Sequence, residues 1–149
     1  MITGELDQAE KILNEGLQFN PKEGILNHYV VQLAVMRRNY EKALSGYEKL
    51  IQTEPKENLT GMRAEIYAIH GDREQALKLD KRSYIYLLLE MYKEGMVELK
   101  KVSSKLSYLR LLHSRMYNPL RSDPEFIQLM KERKADYDEL LLKYANDPP

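Results

Sequence analysis

The chain has 149 residues, 43% hydrophobic and 31% charged, with seven glycines, no cysteine, and 23 Lys plus Arg against 23 Asp plus Glu. This composition suits one soluble, mostly helical domain with a substantial apolar core, and it argues against disorder. Balanced charge provides no global field for nucleic acid or an anionic membrane, and the missing cysteines exclude disulfides, thiolate nucleophiles and Cys-based metal sites.

The start, MITGELDQAEKIL, lacks the basic and apolar regions of a secretory leader. The longest apolar run, from Tyr84 to Leu89, is far short of the ~20 residues a membrane span needs. The expected compartment is the cytoplasm.

In chain order, Leu6, Ala9, Ile12, Leu13 and Leu17 recur at helical spacing, predicting an amphipathic helix from Leu6 to Phe19 that stops at Asn20-Pro21. A second helix is expected over Gly24 to Arg38, with Ile25, Tyr29, Val30, Leu33, Ala34 and Met36 as its apolar set. Asn39 should cap a third, Tyr40 to Thr53, which Glu54-Pro55 closes. Asn58 to His70 reads as a fourth helix, and Gly71 as a turn. Asp72 and Gln75 then form an acidic capping box that opens a fifth helix carrying Ala76 and Leu77.

The first and third helices share a frame. Leu6, Ala9, Leu13, Leu17 and Pro21 are echoed 34 residues later by Tyr40, Ala43, Tyr47, Ile51 and Pro55. From Ala43 to Ala76 the step is 33. On these residues the chain resembles the tetratricopeptide repeat family, over about Gly4 to Leu79. The resemblance implies hairpins of helices A and B, a small residue at each crossing (Ala9, Ala43, Ala76) and glycine at the A-to-B turn. Gly4 and Gly71 match that turn, whereas Arg38 does not. In helix A, Asn27, Val31 and Ala34 stand where the family usually has Trp, Gly and Tyr. The organisation implied is an all-α solenoid of TPR-like antiparallel helix pairs over residues 1–82. It comprises helix B of a first unit, a complete unit at 24–57 and a degenerate unit at 58–82. Residues 83–149 form a C-terminal helical extension or cap of the same domain. A chain that opens on a helix B is expected to be a piece of a longer protein.

Past Leu79 the repeat frame dissolves. Tyr84 to Tyr92 is apolar on several faces, Gly95 reads as an interruption, and Met96 to Leu112 reads as a helix that Ser103-Ser104 bends or divides. Asn118-Pro119 marks a turn, and Asp123-Pro124 starts a last helix whose stripe runs from Phe126 to Tyr144. Pro119, Leu120, Arg121, Asp123, Pro124 and Phe126 are similar to the end of tetratricopeptide arrays appended to bacterial signalling and regulatory proteins. That resemblance implies a setting and no chemistry.

No catalytic constellation is legible. His28, His70 and His113 lie far apart, and no phosphate-cradling loop, nucleophile elbow or helix-borne His pair occurs. The cluster Asp136 to Glu139 lacks the glycine and terminal Glu of a calcium loop. No cofactor, no metal and no enzymatic activity are expected. Ten basic against five acidic residues between Lys93 and Lys134, with Tyr108 and Tyr117 among them, suggest either a nucleic-acid face or, by preference, a solvated basic surface.

The resemblance also implies a partner groove lined by helix A residues: Ile25, His28, Tyr29, Gln32, Val35 and Met36, followed by Met62, Glu65 and Ile69. His28, Gln32 and Met62 stand where a chaperone-tail clamp of this family needs Lys and Asn, so a carboxylate-clamp ligand is not expected. An apolar, Tyr- and Met-rich groove suits a hydrophobic or amphipathic protein segment; the alternative reading is that these residues pack against a preceding helix or the C-terminal cap. The expected function is non-catalytic protein–protein interaction, as a scaffold or adaptor. The alternative is an intramolecular appendage packed on an enzyme or transcriptional regulator of the same polypeptide.

Overall fold

The computed structural model describes residues 3–102 and 107–146, and among these all regular structure is helical. The chain divides into two compact units, Met1–Lys81 and Arg82–Pro149. The first contains α1 (Thr3–Phe19), α2 (Gly24–Met36), α3 (Tyr40–Leu50), α4 (Thr60–His70) and α5 (Arg73–Leu79), with a 3-10 segment, Lys56–Leu59, leading into α4. The second contains α6 (Ser83–Leu88), α7 (Tyr92–Lys101), α8 (Ser107–His113) and α9 (Pro124–Asn146), with a 3-10 segment, Arg115–Leu120, before α9. No described helix is long and apolar enough to cross a membrane.

In the first unit α2 packs against α1, α3 and α4, and α4 packs against α5. The helix ends follow from local chemistry. Asn39 Oδ1 accepts the Lys42 N–H at 3.0 Å, and Asp72 Oδ1 accepts the Gln75 N–H at 3.1 Å. The reciprocal half of the expected capping box does not form, because the Asp72 N–H donates to the Tyr67 carbonyl at 2.9 Å. Gly4, expected at a turn, lies in the first turn of α1.

Three hairpins turn in the same way. After α2, α4 and α6 one residue adopts positive φ: Arg38 (54°), Gly71 (90°) and Glu90 (60°). Each donates its N–H to a carbonyl three residues back, and the next N–H (Asn39, Asp72, Met91) reaches five back, to Ala34, Tyr67 and Tyr86. This double bond closes a helix C-terminus around a left-handed residue. Arg38 therefore adopts the glycine-like conformation although it is not glycine. A Cβ at Gly71 would meet nothing within 4 Å, so backbone conformation alone limits substitution there. Gly71→Ala should lower stability by about 1 kcal/mol, and Gly71→Asn by less, as read from urea midpoints.

Five residues beyond each left-handed residue stands a buried small one: Ala43, Ala76 and Gly95. Gly95 is thus no interruption. It lies inside α7, and a Cβ there would sit 2.9 Å from Leu87 Cδ2 and 3.4 Å from the Ser83 carbonyl. The hairpin regularity accordingly extends past Leu79, into α6–α7. The stretch from Met96 to Leu112, expected as a helix that Ser103-Ser104 bends or divides, forms two helices, α7 and α8, and the two serines lie outside the described residues.

The core of the second unit gathers Leu87, Met96, Leu99, Leu111, Tyr117, Leu120, Phe126 and Leu129. The segment from Pro119 to Phe126 has a structural explanation. Leu120 and Phe126 fill the core, and Asp123 Oδ1 accepts the Glu125 and Phe126 N–H groups at 2.8 and 3.3 Å to cap α9. The guanidinium of Arg121 faces the end of α8, with Nη2 at 2.8 Å from the Leu112 carbonyl and 3.3 Å from those of Leu111 and Ser114.

Candidate functional site

α2 contains no Lys, Arg, Asp or Glu in its thirteen residues. A helix with so little charge is normally enclosed on all sides, and three of its sides are. Leu26 lies against α1, where a Cβ on Gly16 would be 2.9 Å from Leu26 Cδ1. Val31 lies against α3, where a Cβ on Gly46 would be 2.6 Å from Val31 Cγ2. Val35, one turn beyond Val31, is buried with it. The fourth side is open: Ile25, Tyr29 and Met36 are 64%, 52% and 47% exposed, and Gln32 is exposed between them. These positions advance by four, three and four residues, which makes one straight stripe.

Two of the expected groove residues leave this stripe. Val35 belongs to the core because it follows Val31 at the i+4 spacing, so it cannot line an open groove. His28, three residues before Val31, turns the same way and its Nε2 meets Glu54 Oε1 at 2.8 Å, beyond the end of α3. It joins the two helices of the hairpin. On α4, Met62, Glu65 and Ile69 are half-buried. The continuous exposed surface is therefore the α2 row of Ile25, Tyr29, Gln32 and Met36. Asn27 is buried and holds the approach to α2, its Nδ2 donating to the Pro21 and Glu23 carbonyls at 3.2 and 2.9 Å.

α1 is oriented by ion pairs on one flank. Arg37 Nη2 lies 2.5 Å from Asp7 Oδ1 and its Nη1 lies 3.0 Å from Glu10 Oε2, while Lys42 at the start of α3 also pairs with Glu10. The hydrogen bond from Lys42, with its positive charge and that of Arg37, holds the Glu10 carboxyl below its ordinary pKa. The opposite flank of α1 carries Ile12 and Phe19, 59% and 91% exposed. Sequence reading placed Ile12 in the helix stripe and did not include Ile12 or Phe19 in the groove.

Several side chains of the basic segment of the second unit are ion-paired. Lys100 pairs with Glu125 (2.5 Å), Lys101 with Glu98 (2.6 Å), Arg133 with Asp136 (3.6 Å) and Lys134 with Asp138 (2.5 Å). The Asp138 hydrogen bond raises the Lys134 pKa. Asp136 and Asp138 lie beyond the counted segment, so the local excess is smaller in space than along the chain. Tyr117 is buried against Phe126, and Tyr108 packs on Tyr137 with ring centroids 5.6 Å apart, so neither ring stands clear for base stacking.

Open hollows of about 570 Å³ (Arg73, Glu74, Leu77, Lys78, Lys81) and 320 Å³ (around Tyr108, Arg121 and Lys131) involve none of the α2 residues. Among the described residues no group of three His, Cys, Asp or Glu is placed to hold a metal ion. His70 stacks on Tyr40 with ring centroids 4.1 Å apart. No protein-family model matches the chain, and neither a curated protein nor a solved structure matches it.

Proposed function

We propose that the chain is a non-catalytic protein–protein interaction module whose recognition surface is the open side of α2. The observation that carries this reading is an uncharged helix enclosed on three sides and exposed on the fourth through Ile25, Tyr29, Gln32 and Met36. Tyr and Met at such positions provide adaptable apolar contact, and the central Gln can orient a partner backbone. The hairpins are compatible with a tetratricopeptide-like framework, since α2 packs on both α3 and α4 and each crossing holds a small residue; a regulatory or signalling setting rests on the resemblance of Pro119 to Phe126 alone. In such a framework α3 and α5 are scaffold, while α2 and α4 face the partner.

The test is recovery of partner proteins from an extract of the source cells by the wild-type chain and by Tyr29→Ala/Gln32→Ala/Met36→Ala. Loss of a specific partner with the triple variant, at unchanged helical content, is the expected result. Equal recovery would remove α2 as the binding side.

A further inference from the structure

We infer that the hollow where α8 packs on α9 is a binding site for a small aryl carboxylate; this goes beyond the reading of α2 and does not rest on it. The hollow measures about 320 Å³ and belongs wholly to the second unit. Its floor is apolar. Phe126 is 2% exposed and Met130 packs against the core of the unit, so neither can withdraw without opening that core. Ile127, 42% exposed, and Tyr108 of α8 complete the apolar lining. Tyr137 backs the Tyr108 ring and holds that wall in place.

Charge selects the occupant. Arg121, Lys131 and Lys134 also line the hollow, and among the described residues no Asp or Glu does. The three cations are not equivalent. Arg121 donates to the α8 carbonyls and to Asn118, and Lys134 pairs with Asp138 at 2.5 Å. Lys131 has no ion-pair partner among the described residues. It follows Ile127 by four residues and precedes Lys134 by three, so all three share one face of α9. One uncommitted cation beside an apolar floor matches one negative charge on an apolar body, which is a carboxylate and not a phosphate dianion. Size sets the body. The volume lies at the lower end of small-molecule sites. At the ~30 Å³ that each molecule claims in liquid water, it takes about ten non-hydrogen atoms, a ring with a short acid arm. The Tyr108 ring and the Met130 thioether favour an aromatic ring over a flexible alkyl chain.

The experiment is a titration of the full 149-residue chain with phenylacetate, followed by amide chemical shifts. Phenylacetamide, acetate and glycylglycylphenylalanine serve as comparison ligands. The expected result is a set of saturable shifts centred on Tyr108, Ile127, Met130 and Lys131, with a Kd of about 1–5 mM for an open site of this size. Phenylacetamide, which lacks the charge, should bind wild type about fivefold more weakly, and Lys131→Glu should weaken phenylacetate by the same factor, the order of one exposed charge contact. Acetate, which lacks the ring, should give no saturable shift. Lys131 is exposed, so its variant should keep the fold, which circular dichroism checks. Lys22→Glu, an exposed site in the other unit, should bind phenylacetate as wild type does. Shifts that rise without saturating, or that spread evenly over the surface, would overturn the inference. Equal affinity for the acid and the amide, or an Lys131→Glu variant that binds as tightly as wild type, would do the same. Tighter binding of glycylglycylphenylalanine than of phenylacetate would assign the hollow to a chain terminus and overturn its assignment to a small acid.

Discussion

Ala43→Leu should lower the stability of the Met1–Lys81 unit by about 3 kcal/mol, at the upper end for overpacking, whereas Ser45→Leu two residues away should change it by less than about 0.5 kcal/mol. Ala43 has no exposed surface. It stands on the side of α3 that meets α2, three residues before Gly46, where Val31 already approaches so closely that even a methyl group would overlap it. Val31 is itself fully buried and β-branched, so it has few rotamers with which to give way. A leucine at Ala43 must therefore separate the helices or distort α3. Ser45 is exposed, so a leucine there meets water. Urea unfolding followed by far-UV circular dichroism compares the two directly. Equal midpoints would remove Ala43 from the helix crossing and with it the structural basis of the hairpin repeat.

Arg121→Ala should cost about 1 kcal/mol in the second unit, and Arg121→Lys should recover less than half of that. An intramolecular hydrogen bond contributes roughly 0.5–1.5 kcal/mol net, and a charged donor raises that, while exposure of Arg121 and of its bonds to Leu112 and Ser114 lowers it. Here one guanidinium serves the Leu111, Leu112 and Ser114 carbonyls at the end of α8, where unpaired C=O groups and the negative end of the helix dipole coincide. Its Nε also donates to Asn118 Oδ1 at 3.0 Å, which locks the plane of the fork. Lysine offers a point charge without that fork and can meet only part of the set. Calorimetry of the full chain, with each unit's transition assigned from its variants, is the measurement. A loss below about 0.5 kcal/mol would mean that water already satisfies the α8 carbonyls.

Local chemistry carried the sequence reading furthest. Asn39 and Asp72 accept the N–H groups expected of caps, and α4 ends at Gly71 as that turn residue requires, because these features depend on residues three to five apart. Gly95 shows the opposite case. Glycine is a poor helix former, so it reads as a break; in α7 the close approach of Leu87 outweighs propensity. The left-handed conformation of Arg38 and Glu90 was equally hidden, since the cue for that turn is usually glycine.

The exposed row was legible in part: Ile25, Tyr29, Gln32 and Met36 were all expected in a groove, but together with His28 and Val35, which periodicity alone does not separate from them. The hydropathy of α2 places apolar residues all round it, which identifies an enclosed helix without saying which side stays open. Packing decides that: Val35 goes inward with Val31, His28 turns to Glu54, and Ile25, Tyr29, Gln32 and Met36 remain outside. Phe19 stands outside the predicted stripe of Leu6, Ala9, Ile12, Leu13 and Leu17 and ends the helix next to Asn20-Pro21, so periodicity assigns it no role. Arg121 and Asp123 were legible as a motif, while their roles depended on where α8 ends and α9 begins.

The most direct test is whether the open side of α2 is free of structural duty. Ile25→Gln/Tyr29→Gln/Met36→Gln removes its apolar character while leaving the buried sides untouched. The urea midpoint of this variant should match wild type to within about 0.5 kcal/mol, and partner binding through α2 should be lost. A destabilisation of 2 kcal/mol or more, about the cost of uncovering a buried apolar side chain, would show that these residues pack within the fold and would contradict their role as a recognition surface.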